Sequence, residues 1–529
     1  LALESWSVGR ARRAVEALLQ LAPPTARLLV DGREVEVAAE DVKPQSIFLV
    51  KPGDRIPLDG IVVRGNSEVN QAPITGESVP VLKEVDSQVF AGTINGDGAL
   101  EVRATKAASD TTLANIIKMV GSAQAEKAPS EQWVERFARY YTPVVFLAAV
   151  AVFLVPPIFF GGAWQIWIYR SLVLLVIGCP CALVISTPVS IVAALAASAR
   201  HGVLVKGGVF IEVPAKLTAI AMDKTGTLTE GRPRVTSVLP EEGITEAQLL
   251  PIVAAMESQS DHPLARAIVE FCNEKGVKPA PVQHFAAIQG KGATATINGR
   301  EYWLGSHRYL EDRGEETPAV HEHLNSLASS GQSVVVVGDQ ERVLGMITLA
   351  DAVRADSLKT VEGLRRAGVK HVVMLTGDNR PTAEAIAKQT GVDEVYAELL
   401  PQDKVTAIER LVAKYGHVGM VGDGVNDAPA MARATLGIAM GAAGSDAAIE
   451  AADVALMSDD LSKLPWLIGH SRRTMHVIRQ NIALSLVVKA IFVVLTFTGF
   501  ASLWAAIAAD MGVSLLVIGN ALRLLRSKA

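Results

Sequence analysis

The chain has 529 residues, half of them hydrophobic, with a formal net charge of −5 and a mean hydropathy of +0.29. That length exceeds a single ordinary domain, and the hydropathy excludes both a wholly water-soluble chain and one that is all membrane. The small charge points to neither an acidic nor a basic partner. The three cysteines, Cys179, Cys181 and Cys272, give no disulfide framework, because the first two flank one proline.

Residues 1–22 carry Arg10, Arg12 and Arg13 and read as an amphipathic helix, the cytoplasmic end of a preceding one. They lack the apolar core and cleavage site of a signal peptide. Because the chain opens at Leu1 rather than Met, an upstream part is expected to be missing. Residues 23–125 hold the short β-type runs Arg27–Val30, Ile61–Val63 and Leu100–Val102, broken by Gly, Asp and Asn, and predict a small β domain. It contains Thr75-Gly76-Glu77-Ser78, in isolation a tight turn with one acid.

Residues 126–200 predict two membrane crossings, each apolar and long enough for a spanning helix, which needs about 20 residues. They cover Thr142–Phe160, ending near Pro156-Pro157, and Ile168–Ala196, which contains Cys179-Pro180-Cys181. The outer two residues of such a trio do not share a face of a regular helix. Pro180 lacks an N–H and clashes with the carbonyl of Val176, so the helix must kink or unwind. That can bring both sulfurs to one point, and thiolates select soft or borderline metals over Mg²⁺ or Ca²⁺. Two small buried cysteines beside a kink are the plain alternative.

The block from Val203 to Leu467 alternates strands with amphipathic helices. Ala219–Met222, Ser333–Val337, Val372–Leu375 and Val418–Val421 are apolar runs ending in polar or Gly-rich turns. They predict a parallel sheet with sites at its carboxyl ends. Asp223-Lys224-Thr225-Gly226-Thr227 follows the first run. A carboxylate there can accept a phosphoryl group if a metal ion screens the two anions. Thr376-Gly377-Asp378 and Gly422-Asp423-Gly424-Val425-Asn426-Asp427 follow two others. Asp423 and Asp427 are hard ligands suited to Mg²⁺, and Lys404 is a point charge for phosphoryl oxygens. An insert, 231–340, holds Ser260-Asp261-His262-Pro263 and Gly290-Lys291-Gly292.

Residues 468–529 predict a hairpin of two further crossings, Ile482–Phe500 and Leu503–Leu522. Arg472, Arg473 and Arg479 precede it, and Arg523, Arg526 and Lys528 follow it. The positive-inside rule puts both flanks, and the block before them, in the cytoplasm. Lys489 and Asp510 are intramembrane charges of opposite sign and are expected to pair. A carboxylate is a harder ligand than Met sulfur, so Asp510 suits a divalent ion better than Cu(I).

Together, Asp223–Thr227, Thr376–Asn379 and Gly422–Pro429 resemble the phosphorylation domain of P-type ATPases. Cys179-Pro180-Cys181, Lys489 and Asp510-Met511-Gly512 resemble the zinc/cadmium/lead branch of that family. The resemblance covers nearly the whole chain and implies a multidomain membrane protein with an α-helical transmembrane bundle. The soluble parts would be a mainly-β actuator domain (23–125), an α/β haloacid-dehalogenase-like phosphorylation domain (201–230 and 341–467) and an inserted α+β nucleotide-binding domain (231–340). Asp223 would be the phosphoacceptor, with Lys224, Thr225, Thr376, Lys404, Asp423, Asn426 and Asp427 around it. Mg²⁺ would bind Asp223, the Thr225 backbone and Asp423. Asp378 would face the nucleotide, and Glu257, His262, Gly290 and Gly292 would surround the adenine end of ATP. Glu77 would orient the water that hydrolyses the aspartyl-phosphate.

Cys179, Cys181 and Asp510 are expected to bind the ion, with Lys489 on Asp510 when the site is empty. The expected activity is ATP-driven export of Zn²⁺, Cd²⁺ or Pb²⁺ by a multi-pass protein of a bacterial inner membrane. Its expected partners are lipid and the ion, with no nucleic acid. A Cu(I) exporter is one alternative; copper members typically carry Met where Asp510 aligns. A membrane-anchored phosphatase of the same fold is another, but it needs neither Thr75–Ser78 nor intramembrane cysteines. Family members carry further membrane helices before the actuator domain.

Overall fold

The computed structural model describes residues 22–30, 33–75, 80–114, 127–260, 262–288, 291–306, 309–310, 313–314, 324, 332–424, 427–441 and 445–526. The amphipathic stretch expected at the N-terminus lies outside them. The chain forms two compact units, Leu1–Leu217 with Thr435–Ala529, and Thr218–Ala434.

The first unit opens with β1 (Thr25–Val30), β2 (Arg33–Ala38), β3 (Ile47–Val50), β4 (Gly60–Arg64), β5 (Ser67–Asn70), β6 (Val81–Lys83), β7 (Gln88–Val89), β8 (Ile94–Asn95) and β9 (Leu100–Ala104). They form one sheet in the order β2-β1-β3-β9-β4-β7 and a smaller one, β6-β5-β8. Alternate residues of a strand face opposite ways. Phe48, Val50, Val62, Leu100, Val102 and Ala104 therefore fill one core. Asp59 is buried inside it. Its carboxylate accepts from the N–H of Ala91 at 2.9 Å and from the N–H and Oγ1 of Thr112 at 2.6 and 2.8 Å. Those bonds offset the cost of burying it.

Next come α1 (Pro129–Phe160), α2 (Trp164–Gly178), α3 (Cys181–Arg200) and the short β10 (Val203–Val205). The first crossing was expected over Thr142–Phe160; α1 begins earlier, at Pro129, runs through Pro156 and Pro157, and ends at Phe160 as expected, with Gly161 left-handed at φ 67°. A proline near a helix end removes one hydrogen bond, whereas the left-handed glycine reverses the chain. Leu147 and Phe160 remain 66% and 81% exposed. Apolar surface on that scale suits lipid rather than water.

The second unit starts with β11 (Ala219–Asp223), buried along its whole length. It continues with β12 (Thr229–Pro240), α4 (Glu246–Glu257), α5 (Pro263–Glu274), β13 (Val282–Ile288), β14 (Gly292–Ile297), β15 (Arg300–Gly305), β16 (Ser333–Asp339) and β17 (Val343–Val353). β12 to β17 form an antiparallel sheet in the order β12-β17-β16-β15-β14-β13. One expectation is corrected here: Ser333–Val337 does not join a parallel sheet, because β16 pairs antiparallel with β15 and β17. β17 carries that antiparallel sheet on to Val353.

Then follow α6 (Ser357–Arg366), β18 (His371–Leu375), α7 (Arg380–Thr390), β19 (Glu394–Tyr396), α8 (Pro401–Tyr415) and β20 (Val418–Gly422). Here β20, β11, β18 and β19 lie side by side and parallel. α8 buries Ala407, Ile408 and Leu411, one stripe at helical spacing.

The first unit resumes with β21 (Leu436–Ala439) and β22 (Val454–Leu456), with β22 parallel to β21 and antiparallel to β10. α9 (Lys463–Thr498) and α10 (Leu503–Leu522) close it. The third crossing was expected from Ile482, but α9 begins at Lys463, because the helix continues through the basic stretch Arg472, Arg473 and Arg479 that hydropathy leaves outside a crossing. Among the described residues, four segments are long and apolar enough to span a membrane, counting α2 and α3 as one.

Candidate functional site

Parallel strands end at one edge of a sheet, so their terminal residues meet. β11 ends on Asp223, β18 leads to Thr376, and β20 leads to Asp423 and Asp427. Lys404, in the first turn of α8, sends its ammonium between two carboxylates. Its Nζ donates to Asp223 Oδ1 and to Asp427 Oδ1, both at 2.7 Å. Asp223 is buried, and its pKa is raised to about 6 by that burial and then by repulsion from Asp427, with Lys404 opposing both. Burial pulls Lys404 down, but Asp223 and Asp427 outweigh it and leave its pKa raised.

Lys224 pairs with Asp378 at 2.5 Å. Thr376 Oγ1 accepts from the N–H of Asp378 at 3.1 Å, which fixes the turn after β18. The donor set suits Mg²⁺: it is all oxygen, and Asp427 Oδ2 is buried with no hydrogen-bond partner. Lys404 thus joins Asp223 and Asp427, while Lys224, Asp378 and Thr376 form a second linked group at the ends of β11 and β18. Asn426 and Glu77 lie outside the described residues. Sequence reasoning passed over Asp351 and Arg354, whose side chains bind the backbone and hydroxyls of the segment after Asp223. Their only sequence signal is charge at the end of an apolar strand.

In the insert, Glu257 ends α4 and His262 caps α5, its Nδ1 accepting from the N–H of Leu264 at 3.3 Å. An open cleft of about 440 Å³ is lined by Glu257, Ser258, Ser260, Arg266, Glu270 and Asn273. Burial raises the pKa of Glu257 to about 7 and lowers that of His262. Gly292 opens β14, where a Cβ would stand 2.0 Å from the carbonyl oxygen of Leu304, so only glycine fits. Gly290 lies outside the described residues.

In the membrane segments, α2 ends at Gly178 and α3 starts at Cys181, so the expected break at Pro180 is present. Lys489 Nζ pairs with Asp510 Oδ1 at 3.2 Å. It also donates to the carbonyl of Ile177 at 2.8 Å and to that of Cys179. Those carbonyls lie at the break, and no sequence pattern announces these bonds. Cys179 and Cys181 stand together as a disulfide, with Cα atoms 5.4 Å apart. Unwinding at Pro180 puts the two sulfurs on one side despite their spacing. Among the described residues, no group of three or more His, Cys, Asp or Glu side chains is set to hold a metal ion. Asp510 is engaged by Lys489, and each sulfur by the other.

Two family models match the chain: the P-type ATPase actuator domain over residues 20–121 and the haloacid dehalogenase-like hydrolases over residues 217–435. The chain is 48% identical, over its whole length, to a probable cadmium-transporting ATPase of Alkalihalophilus pseudofirmus and spans 74% of it. It is 42% identical, over 99% of its length, to a zinc/cadmium/lead-transporting P-type ATPase of Escherichia coli and spans 71% of it. A crystal structure of a zinc-transporting PIB-type ATPase in the E2.Pi state is 41% identical with a TM-score of 0.63, over 98% of this chain and 85% of that one. An actuator domain, a phosphoaspartate-type α/β core and membrane helices in one chain define a P-type ATPase. The chain belongs to that family, in the heavy-metal branch that holds these relatives.

Proposed function

We propose that the chain drives export of a soft divalent ion, Zn²⁺, Cd²⁺ or Pb²⁺, across a membrane by phosphorylating itself on Asp223. An oxygen of Asp223 attacks the γ-phosphorus of ATP, the bond to the β–γ bridging oxygen breaks, and ADP leaves. Water then cleaves the acyl phosphate, returning the carboxylate and inorganic phosphate. Asp223, the Thr225 backbone and Asp423 would hold Mg²⁺, which screens the two anions when bound. Lys404 keeps Asp223 in place and meets the phosphoryl oxygens, joined by the Thr376 hydroxyl. Lys224 and Asp378 brace each other beside the nucleotide, with Asn426 and Asp427 completing the site. Glu77 orients the hydrolytic water. Glu257, His262, Gly290 and Gly292 receive the adenine end of ATP.

The reduced Cys179 and Cys181 thiolates and Asp510 bind the ion, and Lys489 replaces it on Asp510 after release. Asp510 favours a divalent ion over Cu(I), because a carboxylate is the harder ligand. The protein is multi-pass, in a bacterial inner membrane with its soluble domains in the cytoplasm. Supporting this reading above all is Lys404, whose ammonium joins carboxylates at the ends of two neighbouring parallel strands.

The test is labelling with γ-³²P ATP across a metal panel. An acid-stable, hydroxylamine-labile label on the wild type whose level responds to Zn²⁺, Cd²⁺ or Pb²⁺, and none on Asp223→Asn, is expected. A response to Cu(I) alone supports the copper alternative. A label indifferent to every soft cation, or one that persists in Asp223→Asn, overturns the reading.

A further inference from the structure

The segment after Asp223 is not regular. Lys224–Leu228 winds as a single wide turn in which Thr225 (φ −76°, ψ 126°) and Gly226 (φ 73°, ψ −5°) leave helical geometry. Such a loop cannot hold itself by repeating backbone bonds, yet it follows directly on Asp223. Its carbonyls are held from outside. Arg354 Nε donates to the carbonyls of Thr227 and Thr229, both at 3.0 Å, and one terminal nitrogen donates to that of Gly226 at 3.2 Å. The carbonyl of Leu228 takes the backbone N–H of Arg354 at 3.0 Å and the hydroxyl of Ser357 at 2.8 Å. Asp351, on β17, accepts from the hydroxyl of Thr229 and from the N–H of Arg232.

Carbonyls 226 to 229 therefore all turn toward one short segment, 351–357. A trans peptide points its C=O and N–H in opposite directions. With the carbonyls of Gly226 and Thr227 on the guanidinium, the N–H groups of Thr227 and Leu228 point away from it. Backbone N–H groups gathered on one side of a loop are what an anion site needs. The flat guanidinium spreads its donors over the carbonyls of Gly226, Thr227 and Thr229, a reach that the compact ammonium of lysine reproduces only in part. Arg354 also lies where the chain returns from β17, the last strand of the nucleotide-domain sheet.

We propose that Arg354 is a positioning residue for phosphoryl transfer. It shapes the acceptor loop for the incoming phosphate and ties that shape to the sheet of the nucleotide-binding insert. The inference rests on Asp223 being the phosphoacceptor.

The experiment compares wild type, Arg354→Ala, Arg354→Lys and Asp223→Asn as full chains in membranes. It measures the rate of phosphoenzyme formation at saturating ATP and, separately, nucleotide affinity by displacement of a fluorescent ATP analogue. Arg354→Ala is expected to form phosphoenzyme roughly tenfold or more slowly, with nucleotide affinity within about threefold of wild type. Added guanidinium should restore part of the rate, and Arg354→Lys should fall between. A wild-type rate in Arg354→Ala overturns the inference. So does a joint loss of rate and affinity that neither guanidinium nor lysine repairs, since that marks folding damage alone. Label surviving in Asp223→Asn instead removes the reading beneath it.

Discussion

Two buried carboxylates in this chain are handled in opposite ways. Asp59 is filled by donors from Ala91 and Thr112. Glu257 is buried at the end of α4, and burial alone moves its pKa from 4.5 to about 7. The sign follows from linkage. The folded state holds the proton more tightly than the unfolded chain, so this contribution is complete below pH 4.5 and is lost as pH rises through about 7. At about 1.4 kcal/mol per unit, local stability falls by about 3 kcal/mol across that window. Glu257→Gln keeps the shape without the charge and is expected to match wild type near about pH 5 and to exceed it near about pH 8. Hydrogen exchange of the α4 amides, without nucleotide, reads this directly. The same variant-to-wild-type ratio at both pH values would show that burial does not tune Glu257.

Elements, rather than single residues, decide what was legible. Asp223, Thr376 and Asp423 could be found because each follows an apolar run, and parallel strands deliver such residues to one edge. Ser333–Val337 looked identical as a string. Its antiparallel partners β15 and β17 are a matter of topology, which an apolar run does not encode. The break at Pro180 was legible from one missing N–H, but the carbonyls it frees, and their capture by Lys489 on α9, needed three dimensions.

That capture gives Lys489 two tasks at the element scale, holding the broken helix and countering Asp510. Lys489→Ala is expected to slow metal release and to lower metal-stimulated turnover by roughly tenfold, leaving nucleotide affinity intact. Rapid-filtration release assays beside ATPase rates check this, and unchanged turnover and release would remove both tasks. Elsewhere, Gly292→Ala drives a Cβ to 2.0 Å from the Leu304 oxygen and 2.6 Å from the Gly305 Cα. It should destabilise the insert by about 1–3 kcal/mol, seen as faster amide exchange in β14 and β15. Unchanged protection would show that the strands can separate without cost.

At the scale of the molecule, Asp223, Thr376, Lys404 and Asp427 belong to one compact unit, and Cys179, Cys181, Lys489 and Asp510 to the other. Transport requires the state of one to govern the other, so the chemistry of the sulfurs must be readable at Asp223. A disulfide between Cys179 and Cys181 offers no thiolate, and only the reduced pair can ligate a soft ion. Oxidised protein is therefore expected to bind ATP with ordinary affinity while its phosphoenzyme level ceases to respond to Zn²⁺ or Cd²⁺. Treatment with a dithiol reductant should bring the metal response back. Cys181→Ser should be unresponsive in either condition, since one thiolate cannot close the pair. The measurement is radiolabelled phosphoenzyme against metal concentration, before and after reduction, with free thiols counted in parallel. If the oxidised protein, shown to lack those two thiols, still answers to metal, the ion is held by other ligands and the cysteines only shape the bend at Pro180.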